Sequence, residues 1–283
     1  MTQVLSICLA IATPVCANDD PPYVIQTVAN YADASAEVVA QTVAAPIEQQ
    51  LNGMEGLLRL ESVSADGGAY RMTAVFDPKV DQHRTLANVR NRVALAQPLL
   101  PADVRTAGIT TKEAKVEIPQ PTCEIVLVAD DDQSSTTLGK VGAEIVERLR
   151  KTKPTLNIAS FPGPPVERLE TKLDREKCLS LGVSLDSALK TIKHTAATAR
   201  IEDFRKLSVE NAQGENVELQ AIATFQVVAT SSTILRIDCL PAVRLQAKVP
   251  LEAGHDRLQI LKTWEAAAKE TVPPGIRVLP VRP

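Results

Sequence analysis

Leu57-Leu58-Arg59-Leu60-Glu61-Ser62-Val63-Ser64 and Ala69-Tyr70-Arg71-Met72-Thr73-Ala74-Val75-Phe76-Asp77 flank the turn Asp66-Gly67-Gly68. Two β-prone runs joined by Asp-Gly predict a hairpin, because glycine supplies the positive φ that a tight turn needs. Upstream, Tyr23 to Tyr31 alternates apolar with polar residues and reads as a half-buried strand. Ser35 is a candidate N-cap for a helix whose apolar stripe is Val38, Val39, Thr42, Val43 and Ile47. Pro46 should kink or restart that helix, since proline has no N–H to give its interior. Downstream, Gln82 to Ala96 reads as a second helix, stopped by Pro98 and Pro101. The first hundred residues therefore predict strand, helix, two strands and helix.

Residues 106–122 are polar and turn-rich, and read as a connector ending Pro119-Gln120-Pro121. The pattern then restarts. Cys123–Ala129 is an apolar strand, Asp130-Asp131-Asp132 a solvated loop, and Thr136–Lys151 an amphipathic helix carrying Leu138, Val141, Ile145 and Leu149 on one side. Strands near Leu156–Phe161 and Val166–Leu173 bracket a rigid proline-rich turn, and helices follow at Arg175–Leu181 and Leu185–His194. Further strands are expected at Leu207–Glu210, Val217–Val228 and Val243–Lys248, then a helix at Asp256–Thr271 and a last strand after Pro273-Pro274-Gly275. The fold class is α+β: an internal duplication in which helices cover one face of a sheet. The subdomains expected are residues 22–115 and 120–283.

Composition narrows the chemistry. A net charge of −3, with 31 basic and 34 acidic residues interleaved, leaves no phosphate-binding footprint, so no nucleic acid partner is expected. Aromatics make up only 3%, so Val, Leu, Ile and Ala must build the core. His83, His194 and His255 have no partner at helical spacing, so no metal is expected. Nucleophile elbows, phosphate loops and dinucleotide fingerprints are all missing, and no cofactor or catalytic residue is assigned. The ligand-binding residues are left open.

The first 17 residues carry no charged side chain and end Val15-Cys16-Ala17. An apolar stretch too short to span a membrane, with small residues at its end, reads as a signal peptide over residues 1–17, cut after Ala17. The expected compartment is the periplasm. Cys123, Cys178 and Cys239 remain in the mature chain, an odd number without disulfide spacing. They read as small buried apolar residues, with one pair among them left open.

A resemblance adds to this. Ala34-Ser35-Ala36-Glu37, then Val43-Ala44-Ala45-Pro46-Ile47-Glu48-Gln49-Gln50-Leu51-Asn52-Gly53-Met54-Glu55-Gly56-Leu57, lie in one order with Phe76-Asp77-Pro78, Val89-Arg90-Asn91-Arg92-Val93 and Ala96-Gln97-Pro98-Leu99-Leu100-Pro101. Together they resemble the opening porter subdomain of the hydrophobe/amphiphile efflux branch of the resistance-nodulation-division (RND) permeases. Leu173-Asp174-Arg175-Glu176-Lys177 and Pro273-Pro274-Gly275-Ile276 are similar to steps of the second porter subdomain. The resemblance implies two ferredoxin-like porter subdomains, here without transmembrane helices. It also implies a docking hairpin where this chain has only a short link, near residues 194–202. A chain so built would not pump by itself. The family's Tyr-Pro-Gly-Ala-Ser reads here Tyr31-Ala32-Asp33-Ala34-Ser35, and its clustered phenylalanines shrink to Phe76, Phe161, Phe204 and Phe225.

Three readings follow from the sequence. The first is a soluble periplasmic module that binds apolar solutes or associates with RND permease or adaptor subunits, and is not an enzyme. The second is a structural relic of a pump gene. The third is an enzyme on a ferredoxin-like scaffold.

Overall fold

The computed structural model describes residues 21–114, 122–129, 135–152, 157–195, 206–248 and 257–280. The expected signal peptide, the Asp130-Asp131-Asp132 loop and residues 196–202 of the expected docking link lie outside them.

The chain is α+β, and every strand pairing among the described residues is antiparallel. Strand β1 (Tyr23–Asn30) leads to helix α1 (Ala36–Val39), a π-helical turn (Ala40–Ala44) and α2 (Ala45–Leu51). Ser35 Oγ accepts the Val38 N–H, the expected N-cap. Pro46 does not break the helix. The chain widens into the π turn immediately before it, which relieves the clash between the proline ring and the preceding turn of carbonyls. Asp33, which stands where the resembled family has glycine, keeps a left-handed φ of 61°.

The hairpin of β2 (Leu57–Ala65) and β3 (Ala69–Phe76) forms as predicted, with Gly67 and Gly68 at φ of 81° and 91°. Helix α3 (Gln82–Ala96) is capped by Asp81, and α4 (Ala102–Ala107) follows. The connector read at 106–122 holds a short strand, β4 (Thr110–Glu113), which pairs with β1 at the sheet edge. The second part supplies β5 (Thr122–Ala129), α5 (Ser135–Thr152), β6 (Ile158–Phe161), β11 (Thr233–Ile237), β12 (Leu240–Lys248), α9 (Arg257–Thr271) and β13 (Ile276–Pro280).

These strands form one nine-stranded sheet, in the order β13-β5-β12-β11-β2-β3-β1-β4, with β6 beside β12. Strand β11 was not foreseen. It is tied to β12 by a two-residue turn in which Asp238 and Cys239 both take positive φ, 48° and 68°. The partner of β11 on its other side is β2, so the β2–β11 ladder joins the two halves of the sheet.

Register shows where the core lies. Opposed residues share a face, so Ile25, Ala74 and Leu60 lie on the same side as Ile234, Val243 and Leu127. Helices α1 to α4 pack on that side against β1, β2 and β3, with Val43, Ile47 and Leu51 buried. Helices α5 and α9 pack on it against β5, β12 and β13, with Trp264 buried between. The other side carries a smaller cluster of Val63, Val126, Val128, Leu235, Ile237 and Ala242.

By contacts the chain divides into two units, residues 1–165 with 231–283, and residues 166–230. The second unit has its own core of Cys178, Val183, Ala188, Val209, Leu219 and Ile222. It consists of the ribbon of β7 (Val166–Leu173) and β10 (Ala223–Thr230), helices α6 (Arg175–Ser180), α7 (Leu185–Thr195) and α8 (Leu219–Ile222), and the hairpin of β8 (Ser208–Glu210) and β9 (Asn216–Glu218). The long strand expected over Val217–Val228 is thus split by α8 into β9 and β10. None of the three described cysteines forms a disulfide; Cys123 and Cys178 are buried and Cys239 partly so.

Candidate functional site

Two features of the first unit concentrate polar side chains. One is a cavity of about 360 Å³ between the α2–β2 turn and the start of α3. Gly56 forms part of its wall and approaches Val80 so closely that an added Cβ would lie 2.5 Å from Val80 Cγ1. Around them stand Glu55, Asp77, Lys79, Asp81 and Arg84, while Met54 and Val80 supply the apolar surface. Asp77 and Asp81 are partly committed, accepting the backbone N–H of Lys79 and Arg84. The cavity is mixed in charge and open to water.

The other feature straddles the β2–β11 junction. On the helix-covered side, Glu48 of α2 reaches into the sheet, where Arg236 of β11 donates to it at 2.9 Å and the Ser62 hydroxyl of β2 donates as well. Arg236 also donates to the carbonyl of Cys239. On the opposite side, Arg59 and Glu61 of β2 pair at 2.9 Å, Glu61 pairs with Arg244 of β12, and Arg244 Nε lies 2.9 Å from Glu124 of β5. Glu61, Arg244 and Glu124 are each only 2% exposed. The row alternates positive and negative charge, which is what makes its burial tolerable.

The electrostatics follow from burial. Desolvation pushes the Glu124 carboxyl above its ordinary value, and the neighbouring Arg244 only partly offsets this. For Arg244 burial works against the charge, but Glu61 and Glu124 outweigh it and hold the guanidinium protonated. The Cys239 thiol is pushed up to about 11, by burial first and by the Glu48 carboxylate second, so it is no activated nucleophile. Tyr70, buried near the same carboxylate, is raised well above its ordinary value by desolvation. The arginine-paired carboxylates form buried ionic contacts that tie α2 to β2 and β11, and β2 to β12 and β5.

No catalytic or metal residue was assigned from sequence, and no described group of His, Cys, Asp and Glu could hold a metal ion. His83 is exposed on α3; the side chains of His194 and His255 lie outside the described residues. Sequence reasoning missed the charged row. Arg59-x-Glu61 looks like the wet side of a half-buried strand, yet Glu61 is buried and meets Arg244, which is far away in sequence.

The family model for the AcrB/AcrD/AcrF family matches residues 18–193, more than half of the chain. The chain belongs to this family. Among AcrB/AcrD/AcrF relatives, the Escherichia coli multidrug export protein AcrF is 24% identical over 292 residues, which cover 91% of this chain and 28% of that protein. The toluene efflux pump membrane transporter TtgB of Pseudomonas putida is 38% identical over 93 residues, 33% of this chain and 9% of its own. Multidrug resistance protein MdtF of E. coli is 32% identical over 97 residues, 34% of this chain and 9% of that protein. The chain thus spans between about a tenth and somewhat over a quarter of these relatives. The resemblance to RND efflux permeases read from the motifs between Ala34 and Pro101 holds. No described helix is long and apolar enough to cross a membrane.

Proposed function

We propose that this chain is a periplasmic porter-type module that associates with subunits of an RND efflux complex. The observation that carries this reading is the family match over residues 18–193, extended by similarity to AcrF across 91% of the chain. In this reading residues 22–115 and 120–283 are two ferredoxin-like porter subdomains; the β2–β11 ladder joins strands of both, while residues 166–230 of the second form a unit of their own. Export over residues 1–17 would deliver them to the periplasm. The aligned stretch of 292 positions is longer than the 283-residue chain itself, so AcrF has residues within it that this chain lacks. A shortened docking link near 194–202 is one place for that difference in this reading.

Association is favoured over capture of apolar solutes by the cavity itself. Five charged side chains surround it against two apolar ones, Met54 and Val80, a more charged lining than an apolar ligand favours. The arginine-neutralised carboxylates equally favour a non-enzymatic role over catalysis. A pull-down of the tagged protein from envelope extracts tests the reading. Enrichment of a permease or adaptor subunit over a tag-only control is expected, and a catch indistinguishable from the control overturns it. Mass spectrometry of periplasmic material should find Asn18 first, whereas an intact Met1 confined to the cytosol would remove the periplasmic part.

A further inference from the structure

The second unit presents a β-ribbon with unequal edges. Strand β7 carries Glu167, Arg168, Glu170 and Lys172 along its eight residues. Strand β10, Ala223-Thr224-Phe225-Gln226-Val227-Val228-Ala229-Thr230, has no charge, proline or glycine. Among the described residues β10 pairs with β7 alone. A two-stranded ribbon is marginal in water, and a long uncharged edge strand is the kind that proteins ordinarily blunt with charge. On β7 the edge is blunted; on β10 it is not.

Register separates the two faces of the ribbon. Thr224, Gln226 and Val228 oppose Lys172, Glu170 and Arg168, and this face satisfies itself: Gln226 donates to Glu170 at 2.7 Å, and Lys172 lies 3.4 Å from the same carboxylate. Phe225, Val227 and Ala229 oppose Thr171, Leu169 and Glu167 on the other face. That face enters the unit's core at its Phe225 end, where Leu173 and Phe225 pack on the buried cluster. Toward the Thr230 end it leaves the core, and Val227 is 49% exposed.

We infer that β10 is a self-pairing edge, and that two copies of the chain join β10 to β10 antiparallel about a twofold axis. Three features select a second copy as the occupant. Antiparallel pairing of identical strands closes under twofold symmetry and leaves no free repeat. An uncharged strand meets its own copy without opposing like charges. Registers centred on Gln226 or Val227 place odd residues opposite odd ones, so Phe225, Val227 and Ala229 of both copies form one apolar face across four strands. A slip by one residue would set apolar against polar side chains and is disfavoured. An edge of eight residues supplies well under the about 800 Å² per partner of a standard interface, so the dimer is weak and reversible.

Sedimentation of the full chain from about 5 to about 200 µM brackets a micromolar-range equilibrium. Mass should rise with concentration toward that of a dimer. Val227→Lys sets two lysines against each other near the axis and is expected to weaken association at least about tenfold. Leu169→Lys changes the same face one strand away from the axis and should weaken it far less. Val227 is half exposed, so its substitution leaves the fold intact, which the far-ultraviolet spectrum of each variant checks. A monomer throughout the range overturns the inference, as does a dimer indifferent to Val227→Lys. Equal loss in both variants would mean that the ribbons stack face to face, and it also overturns edge pairing.

Discussion

Val43 is 1% exposed, on the helix stripe read from sequence, and packs among Ile25, Ile47 and Met72. Val43→Asp would bury a carboxylate with no partner, and a loss of several kcal/mol in urea unfolding is expected. An unchanged midpoint would mean that residue 43 faces water. Glu124 allows a subtler test. Its folded-state titration is raised by burial, so the native protein holds the proton more tightly than the unfolded chain. The stability it contributes is complete below the ordinary carboxylate value and is lost as pH rises through the raised one. Relative to Glu124→Gln, the wild type should therefore lose stability as pH rises above the ordinary carboxylate range. A gap that stays constant or widens with pH would show that Arg244 dominates over burial.

At the level of elements the turn at Gly68 is tightly constrained. Its φ is 91°, and an added Cβ would sit 1.7 Å from the carbonyl oxygen of Tyr31, whose own N–H donates to the Gly68 carbonyl. Gly68→Ala must move backbone as well as strain it, and a loss of at least about 2 kcal/mol in chemical unfolding is expected. Gly53 has similar φ and nothing within 4 Å, so Gly53→Ala should cost distinctly less; equal costs would refute the steric argument. Glycine turns, the Ser35 cap and the apolar stripes were legible because their signals are local. What was not legible depended on partners distant in sequence. Thr110–Glu113 has no apolar pattern and is a strand only because β1 offers it an edge. Asp238-Cys239 is no turn signal by composition, yet Asp238 is fixed there by hydrogen bonds from its N–H to the Leu60 carbonyl and from the Leu60 N–H to its carboxylate. The charges at Arg59, Glu61, Glu124 and Arg244 alternate as solvent-facing residues do. Only the strand order, which brings β2, β12 and β5 into one sheet, makes them a row.

At the scale of the molecule, a sheet joined through β2 and β11 sits in the first unit, while residues 166–230 hold a separate core. Val166 and Thr230 are opposite each other in the ribbon, so their Cα atoms are within about 5.5 Å. That separation is what a two-residue hairpin spans, so residues 167–229 can be replaced by Asn-Gly without stretching the chain. Trp264, the single tryptophan, is 1% exposed among α5, α9 and β5, and its fluorescence reports the first unit alone. The shortened chain is expected to keep the blue emission of a buried indole and to unfold in urea within about 1 kcal/mol of the parent, since each unit buries a core of its own. Far-ultraviolet intensity should fall, with the lost helices α6, α7 and α8 leaving the tryptophan transition in place. Red-shifted emission before any urea is added would show that the large sheet needs the second unit to fold, and the division into two independent cores would fail.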